Sequence, residues 1–174
     1  MRYLAIIIAL PTLFATQVSL AGDILTVPIR VPVADGVSVP NNVLAECELE
    51  RKLAKSLASE AKGPYRKVLM KPAVSAETPG HALDIRITAV LGSGGGKYSG
   101  PKSVTAQGTL YADGKILGTF VARRHTTRGR HTCRMLQRDA EEIAEDVGKW
   151  LKAPVMDGRL GAAGDRAIAL HDLS

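Results

Sequence analysis

An apolar run at the amino terminus decides which part of this chain folds. Met1 and Arg2 precede a mostly apolar stretch from Leu4 to Phe14, and Ser19-Leu20-Ala21 supplies the small residues that a signal peptidase reads. The run is shorter than the ~20 residues that a helix needs to cross a bilayer. We therefore predict a signal peptide over residues 1–21, a periplasmic or secreted protein, and no transmembrane anchor after cleavage.

The part that remains after cleavage has the size of one domain. Residues 22–174 number 153, and only 4% of the whole chain is aromatic, so valine, isoleucine, leucine and alanine must form the core. We predict a single domain over residues 22–154 and a poorly ordered tail over residues 155–174, which are rich in glycine and alanine. The residue directly after the predicted cleavage point is Gly22 and not cysteine, so we expect no lipoprotein anchor.

The two cysteines, Cys47 and Cys133, are expected to form a disulfide. An exported protein folds in an oxidising compartment, where paired thiols oxidise. Both residues lie on the apolar stripes of predicted helices, which favours contact between them. The alternative is two separate buried thiols that act as small apolar residues.

Alternating apolar and polar residues predict five strands. The first runs from Leu25 to Val33. Pro28 and Pro32 are an even number of residues apart, so both would lack an N–H donor on the same side of the strand, and this predicts an edge strand. The other four are, in chain order, 67–72, 83–91, 104–111 and 116–122, with a tight turn at Asp113-Gly114 between the last two.

Two stretches of helical periodicity complete the domain. One follows a cap at Asn41 or Asn42 and ends at Gly63-Pro64, and the other follows a cap at Thr132 and ends before Pro154. The order β-α-β-β-β-β-α predicts an α+β fold, with a mainly antiparallel sheet of four to five strands and both helices on one face. If every connection reversed direction, however, the two cysteines would lie at opposite ends of the sheet, too far apart to bond. Either residues 124–131 run back along the sheet, or one strand assignment is wrong.

Positive charge is concentrated in one part of the chain. Between Ile85 and Arg138 there are ten lysines and arginines and one acid, whereas the rest of the mature chain is net acidic. In an exported protein this asymmetry points to lipopolysaccharide, anionic lipid, peptidoglycan or an acidic protein, and not to nucleic acid. We predict an anion-binding rim formed by two segments, a glycine-rich loop from Gly92 to Lys102 and a basic segment from Arg123 to His131. The alternative is that these residues form a solvated surface that binds no ligand. The predicted rim residues are Lys97, Tyr98, Lys102, Arg123, Arg124, Arg128, Arg130, His131 and Arg134.

No motif in the chain predicts a cofactor, a metal or a catalytic residue. The glycine-rich segment fails as a phosphate-binding loop, because Leu91 and Tyr98 stand where glycine and serine or threonine are required. The spacing of His125, His131 and Cys133 matches no compact zinc pattern. The residues favour a non-catalytic binding or envelope-maintenance module. Two alternatives stay open: a small periplasmic hydrolase or metal-dependent enzyme that uses His125 or His131, and a secreted effector or inhibitor that binds another protein.

Several short motifs carry a family resemblance. They are Tyr98-Ser-Gly-Pro-Lys-Ser103, Asp113-Gly-Lys-Ile-Leu-Gly-Thr-Phe120, Arg123-Arg124, Thr132-Cys133 and Trp150-Leu-Lys-Ala-Pro154. With this spacing, residues 83–154 resemble envelope proteins of proteobacteria that carry a domain of unknown function and also occur as small outer-membrane lipoproteins. The resemblance implies a location in the cell envelope and a non-enzymatic role, and it implies no catalytic residues.

Overall fold

The computed structural model describes residues 24–37, 39, 43, 46–92, 100–127 and 131–161. The predicted signal peptide and the predicted caps Asn41 and Asn42 lie outside the described residues. In chain order the elements are β1 (Ile24–Pro28), α1 (Leu49–Glu60), β2 (Lys67–Lys71), β3 (His81–Leu91), β4 (Lys102–Ala112), β5 (Lys115–Thr126), α2 (Thr132–Trp150) and β6 (Gly158–Leu160).

The six strands form one mixed sheet in the order β2-β1-β3-β4-β5-β6. The pairs β3–β4 and β4–β5 are antiparallel, whereas β1 is parallel to both β2 and β3, and β6 is parallel to β5. The α+β class with two helices is confirmed. The prediction of a mainly antiparallel sheet of four to five strands was wrong, because three of the five pairings that the structure describes are parallel.

Strand β1 lies inside the sheet, so the edge-strand prediction was wrong. Ile29 N–H donates to Lys71 O at 2.8 Å, which turns the nitrogen of Pro28 toward β3. The ladder with β3 ends at the pair Thr26–Ala82, before it reaches Pro28. The missing donor therefore lies beyond the last hydrogen-bonded pair, where proline is tolerated.

The disulfide between Cys47 and Cys133 is confirmed, with a Cα–Cα distance of 4.8 Å. The sequence argument foresaw a conflict because it assumed a reversal between β2 and β3. In fact β2, β1 and β3 all run in the same direction, so β3 does not reverse after β2. Both helices consequently begin at the same end of the sheet, and this brings the two cysteines together.

The starts of the two helices differ from the prediction: the first is helical at Val43, Glu46 and Cys47 but is broken at Glu48, and α2 begins one residue earlier than predicted. Glu48 adopts a left-handed conformation with φ 47°, so the first predicted helix is interrupted and α1 begins at Leu49. The N-cap of α2 is His131, and Thr132 is its first helical residue. The apolar stripes are as expected, with Leu53 and Leu57 of α1 and Leu136 and Ile143 of α2 fully buried.

Residues 155–161 belong to the folded domain, which corrects the predicted tail over residues 155–174. Gly158–Leu160 forms β6, which pairs with Phe120, Val121 and Ala122 of β5. Residues 162–174 lie outside the described residues. A three-residue strand is too short to show an alternating pattern in sequence.

The predicted turn at Asp113-Gly114 is confirmed: φ is 48° at Asp113 and 81° at Gly114, and the strands pair directly on either side of it. Positive φ at both central residues is what a two-residue hairpin turn requires.

Gly108 makes room for an aromatic pair in the core. The ring of Phe120 packs against Trp150, with ring centroids 4.9 Å apart, and a Cβ added at Gly108 would lie 2.6 Å from Phe120 Cζ. We expect Gly108→Ala to lower the free energy of unfolding by about 1–3 kcal/mol, because the ring must leave its position. Urea unfolding measures the change. Gly63→Ala is the control, because its nearest neighbour would be at 3.6 Å; an equal loss in both variants would contradict the explanation.

Candidate functional site

The two helices cover one face of the sheet and leave the other face of β3 to β6 exposed. Buried and exposed residues alternate along these strands, so that Ala106 and Ala122 point into the core while Gln107 and Arg123 are exposed. A groove of about 1330 Å³ runs over the exposed side. We call this surface, formed by the outward side chains of β3 to β6, the open face.

One row of side chains crosses the open face and carries two arginines. Arg86 pairs in register with Gln107, Gln107 with Val121, and Val121 with Arg159. Four neighbouring strands at about 4.8 Å place the backbones of Arg86 and Arg159 about 14 Å apart. We call these four residues the arginine row.

A second row, two residues away along the strands, carries two carboxylates. Asp84 pairs in register with Thr109, and Thr109 with Thr119. Thr119 Oγ1 donates to Asp157 Oδ1 at 3.2 Å and accepts from Asp157 N–H at 2.8 Å, which fixes the aspartate beside the strand. We call these four residues the acidic row.

The groove continues past the arginine row to Arg123 and His125 of β5. Arg123 lies two residues beyond Val121, and His125 two residues beyond Arg123 and opposite Ser103. Three arginines, Arg86, Arg123 and Arg159, therefore surround the middle of the groove. Guanidinium groups bind carboxylate and phosphate through paired hydrogen bonds, so this arrangement suits an anionic ligand.

Arg124, a predicted rim residue, lies on the opposite face of the sheet. Its Nε and Nη2 atoms donate to the two carboxylate oxygens of Asp146 on α2, at 2.7 and 2.6 Å. The side chains of Arg124 and Asp146 are 17% and 7% exposed. Arg124 thus joins β5 to α2, and the structure separates it from Arg123.

Lys102 lines the end of the groove but is fully buried. It is the first residue of β4, on the parity of the buried Val104, and it is 0% exposed. Its ammonium group contacts Gly100 O at 3.4 Å. The contact of Lys102 with an anionic ligand stays a prediction.

A buried carboxyl lies near the same end of β5. Asp139 of α2 is 0% exposed, and its Oδ1 accepts a hydrogen bond from Thr126 Oγ1 at 2.6 Å. Burial raises the pKa of the Asp139 carboxyl, and the hydrogen bond from Thr126 opposes that rise. These contacts hold α2 on the sheet beneath the groove.

The other predicted rim residues lie around the end of the sheet. His131 and Arg134 are exposed at the start of α2. Lys97, Tyr98, Arg128 and Arg130 lie outside the described residues. The strand ends that adjoin the glycine-rich loop and the basic segment do lie side by side, because Leu91 pairs with Ser103 and Lys102 pairs with Thr126.

Two arginines of the groove, Arg86 and Arg159, were not among the predicted rim residues. Arg86 alternates with the buried Ile85 and Ile87, so its parity on β3 already identified it as a residue of the solvent-facing side. Arg159 had no such signal, because β6 has only three residues.

Among the described residues of the open face, no carboxylate lies beside His125, and the carboxyl whose pKa its charge lowers is the buried Asp139 on the other face. Ser103 lies opposite His125, but the groove carboxylates Asp84 and Asp157 lie three rows away, about 20 Å along the strands, and cannot orient that histidine. Within the described ranges, no group of three His, Cys, Asp or Glu side chains is arranged to hold a metal ion.

No family model matches the chain, and no curated protein matches it at a significant level. Several solved structures show a remote similarity, among them the following three. The PelC dodecamer from Paraburkholderia phytofirmans is 11% identical with a TM-score of 0.48, over 72% of this chain and 88% of that chain. A second, an uncharacterised protein, is 14% identical with a TM-score of 0.46, over 72% and 90%. The third, described as a neuraminyllactose-binding hemagglutinin homolog from Helicobacter pylori, is 14% identical with a TM-score of 0.42, over 76% and 85%. A likeness this remote transfers no function to the chain.

Neither helix in the described part of the chain has the length and apolar composition needed to span a membrane.

Proposed function

We propose that the protein is a non-catalytic binding module of the periplasm or the extracellular space, and that its open face binds an anionic ligand of the cell envelope. The observation that carries the proposal is the arrangement of Arg86, Arg123 and Arg159 around one groove. The disulfide between Cys47 and Cys133 supports an oxidising compartment, and so do the signal-peptide features of residues 1–21.

The exposure of the three arginines supports binding more than structure. All three are exposed, whereas the side chain of the neighbouring Arg124 is mostly buried in an ion pair with Asp146. Arg86 has one carboxylate neighbour, Asp84, at 3.7 Å, and an exposed pair at that distance contributes little to stability. Arg124 thus has a structural role, whereas Arg86, Arg123 and Arg159 are available to a ligand.

The ligand classes follow from guanidinium chemistry. Phosphates of lipopolysaccharide or anionic lipid, carboxylates of peptidoglycan and an acidic protein surface all provide suitable acceptors. The described groove residues do not favour single-stranded nucleic acid, because basic grooves that bind it use exposed aromatic rings, and Phe120, the one phenylalanine, tyrosine or tryptophan among them, is 2% exposed.

Loss of two groove arginines should weaken binding strongly. In Arg123→Gln/Arg159→Gln we expect at least about a tenfold loss of affinity for phosphatidylglycerol vesicles, lipopolysaccharide or peptidoglycan, whichever binds the native protein at low salt, since each basic residue near an anionic surface contributes about 1 kcal/mol. Co-sedimentation at increasing salt measures the loss. Binding should also fall with salt, because exposed charges are screened over about 8 Å at physiological ionic strength.

The matched control is Arg51→Gln/Arg138→Gln, which removes the same charge from the exposed ion pairs of the helical layer. Its affinity should stay within about twofold of the native value. Equal losses in both double variants would show that only net charge matters, and absence of binding to all three probes at low salt would reject the proposed function.

A further inference from the structure

Charges on the open face are sorted by row, and not mixed. The acidic row carries Asp84 and Asp157, and the arginine row, two residues along the strands, carries Arg86 and Arg159. Two residues of an extended strand span about 7 Å, so the carboxylates and the guanidinium groups project from lines about 7 Å apart. Residues of both rows line the same groove.

The carboxylates of the acidic row are held in place and are not neutralised by strong ion pairs with the arginines. Asp157 has a φ of 54° and two hydrogen bonds with Thr119, so its position is set by the turn before β6. Asp84 lies 3.7 Å from Arg86 Nε, which is long for a charge-assisted hydrogen bond. Both carboxylates remain available as acceptors at one end of the groove.

A ligand with negative charge along its whole length would therefore be repelled at this end. A ligand with an ammonium group there would gain attraction mainly from the carboxylate that it approaches, because three strand spacings of about 4.8 Å place the backbones of Asp84 and Asp157 about 14 Å apart. The hydroxyls of Thr109 and Thr119 lie between them as further acceptors.

We propose that the ligand of the open face is zwitterionic, with an anionic group between the arginines and an ammonium group over the acidic row. The inference rests on the proposed function and specifies the ligand class for the same groove. The shared chemistry is a phosphate or carboxylate joined to a primary amine by a short linker, as in an ethanolamine phosphate headgroup or a short peptide.

Two small probes that differ at the amine test the proposal. O-phosphoethanolamine and glycerol 3-phosphate both present a phosphomonoester, but only the first carries an ammonium group. In amide chemical-shift titrations of the whole protein, O-phosphoethanolamine should bind about two- to fivefold more tightly, the effect of one exposed ion pair. The shifts should include the backbone amides of Thr109 and Thr119.

In Asp84→Asn/Asp157→Asn the two probes should bind equally. Asparagine keeps the shape of each side chain, an acceptor for Thr119 and the tolerance of positive φ at position 157. The control Glu141→Gln/Glu145→Gln removes two carboxylates from α2 and should keep the preference. Equal binding to the native protein, or a preference that survives the asparagine variant, overturns the zwitterionic ligand.

The outcomes separate this inference from the proposed function. Equal binding of both probes that is lost in Arg123→Gln/Arg159→Gln retains the anion site and rejects the acidic row as a ligand contact. Failure of both small probes, while phosphatidylglycerol vesicles, lipopolysaccharide or peptidoglycan still bind, rejects the zwitterionic ligand and retains the proposed function; failure of all of them rejects both. Vesicles that contain phosphatidylethanolamine distinguish the source: retention that depends on Asp84 and Asp157 assigns a lipid headgroup, and binding of the free compound alone assigns a soluble zwitterion.

Discussion

Replacing Cys47 and Cys133 together by alanine should lower the free energy of unfolding by about 4–5 kcal/mol. The two cysteines are 86 residues apart, and the entropy lost from the unfolded chain grows with the size of the loop that a disulfide closes. In a domain of this size the melting temperature should fall by roughly 10–15 °C. Urea unfolding of the native and doubly substituted proteins, without reductant, measures the difference.

Reductant provides the control for the disulfide. It should lower the stability of the native protein to about the level of the alanine variant and leave the variant itself unchanged. If the native protein kept its stability under full reduction, verified by alkylation of both thiols, packing between the helices and not the cross-link would hold this end of the domain.

Breaking the ion pair between Arg124 and Asp146 should be nearly as costly, at about 3 kcal/mol for Arg124→Gln. The pair is bidentate and mostly buried, so removal of one partner leaves the Asp146 carboxylate in the core without its counter-charge. The matched comparison is Arg138→Gln on the same helix, whose exposed pair with Glu142 at 2.9 Å should contribute less than about 1 kcal/mol.

A second variant separates loss of the pair from loss of packing. In Arg124→Met/Asp146→Leu both charges are replaced by apolar groups of similar volume, and most of the lost stability should return. Thermal and urea unfolding of the four proteins test this. A double variant as unstable as Arg124→Gln would mean that the ion pair itself, and not the isolated charge, determines the stability.

The length of β5 shows where the sequence misled. The expected strand ended at Ala122, because the residues after it are polar at every position. Both faces of this part of the strand are polar, for different reasons. Arg123 and His125 face solvent, whereas Arg124 and Thr126 face inward and donate hydrogen bonds to Asp146 and Asp139 of α2. A strand that packs polar side chains against a partner helix loses the alternation from which strands are recognised.

The strands with apolar inner faces, by contrast, were readable. Alternation along β3 and β4 located both strands, and Asp113-Gly114 located the turn after β4. The periodicity of α2, together with the expectation of an oxidising compartment, was enough to predict the disulfide.

The sequence did not predict which strands pair with each other, because the choice of neighbours for β1 depends on contacts with strands far along the chain. The same limit applies to the groove. The alternation along β3 predicts that Arg86 faces solvent, but no pattern in the sequence predicts that Arg159 lies on a strand at the edge of the sheet.

The central position of β1 has a consequence for the kinetics of folding. The antiparallel hairpin of β4 and β5 is local and can form in about 1–10 μs. β1, however, must insert between β2 and β3, both of which follow it in the chain. Each of these two pairings requires a long loop to close before any hydrogen bonds form between the strands. We therefore expect the capture of residues 24–28 to limit the rate of refolding, so that substitutions in that strand retard refolding more than substitutions in the hairpin.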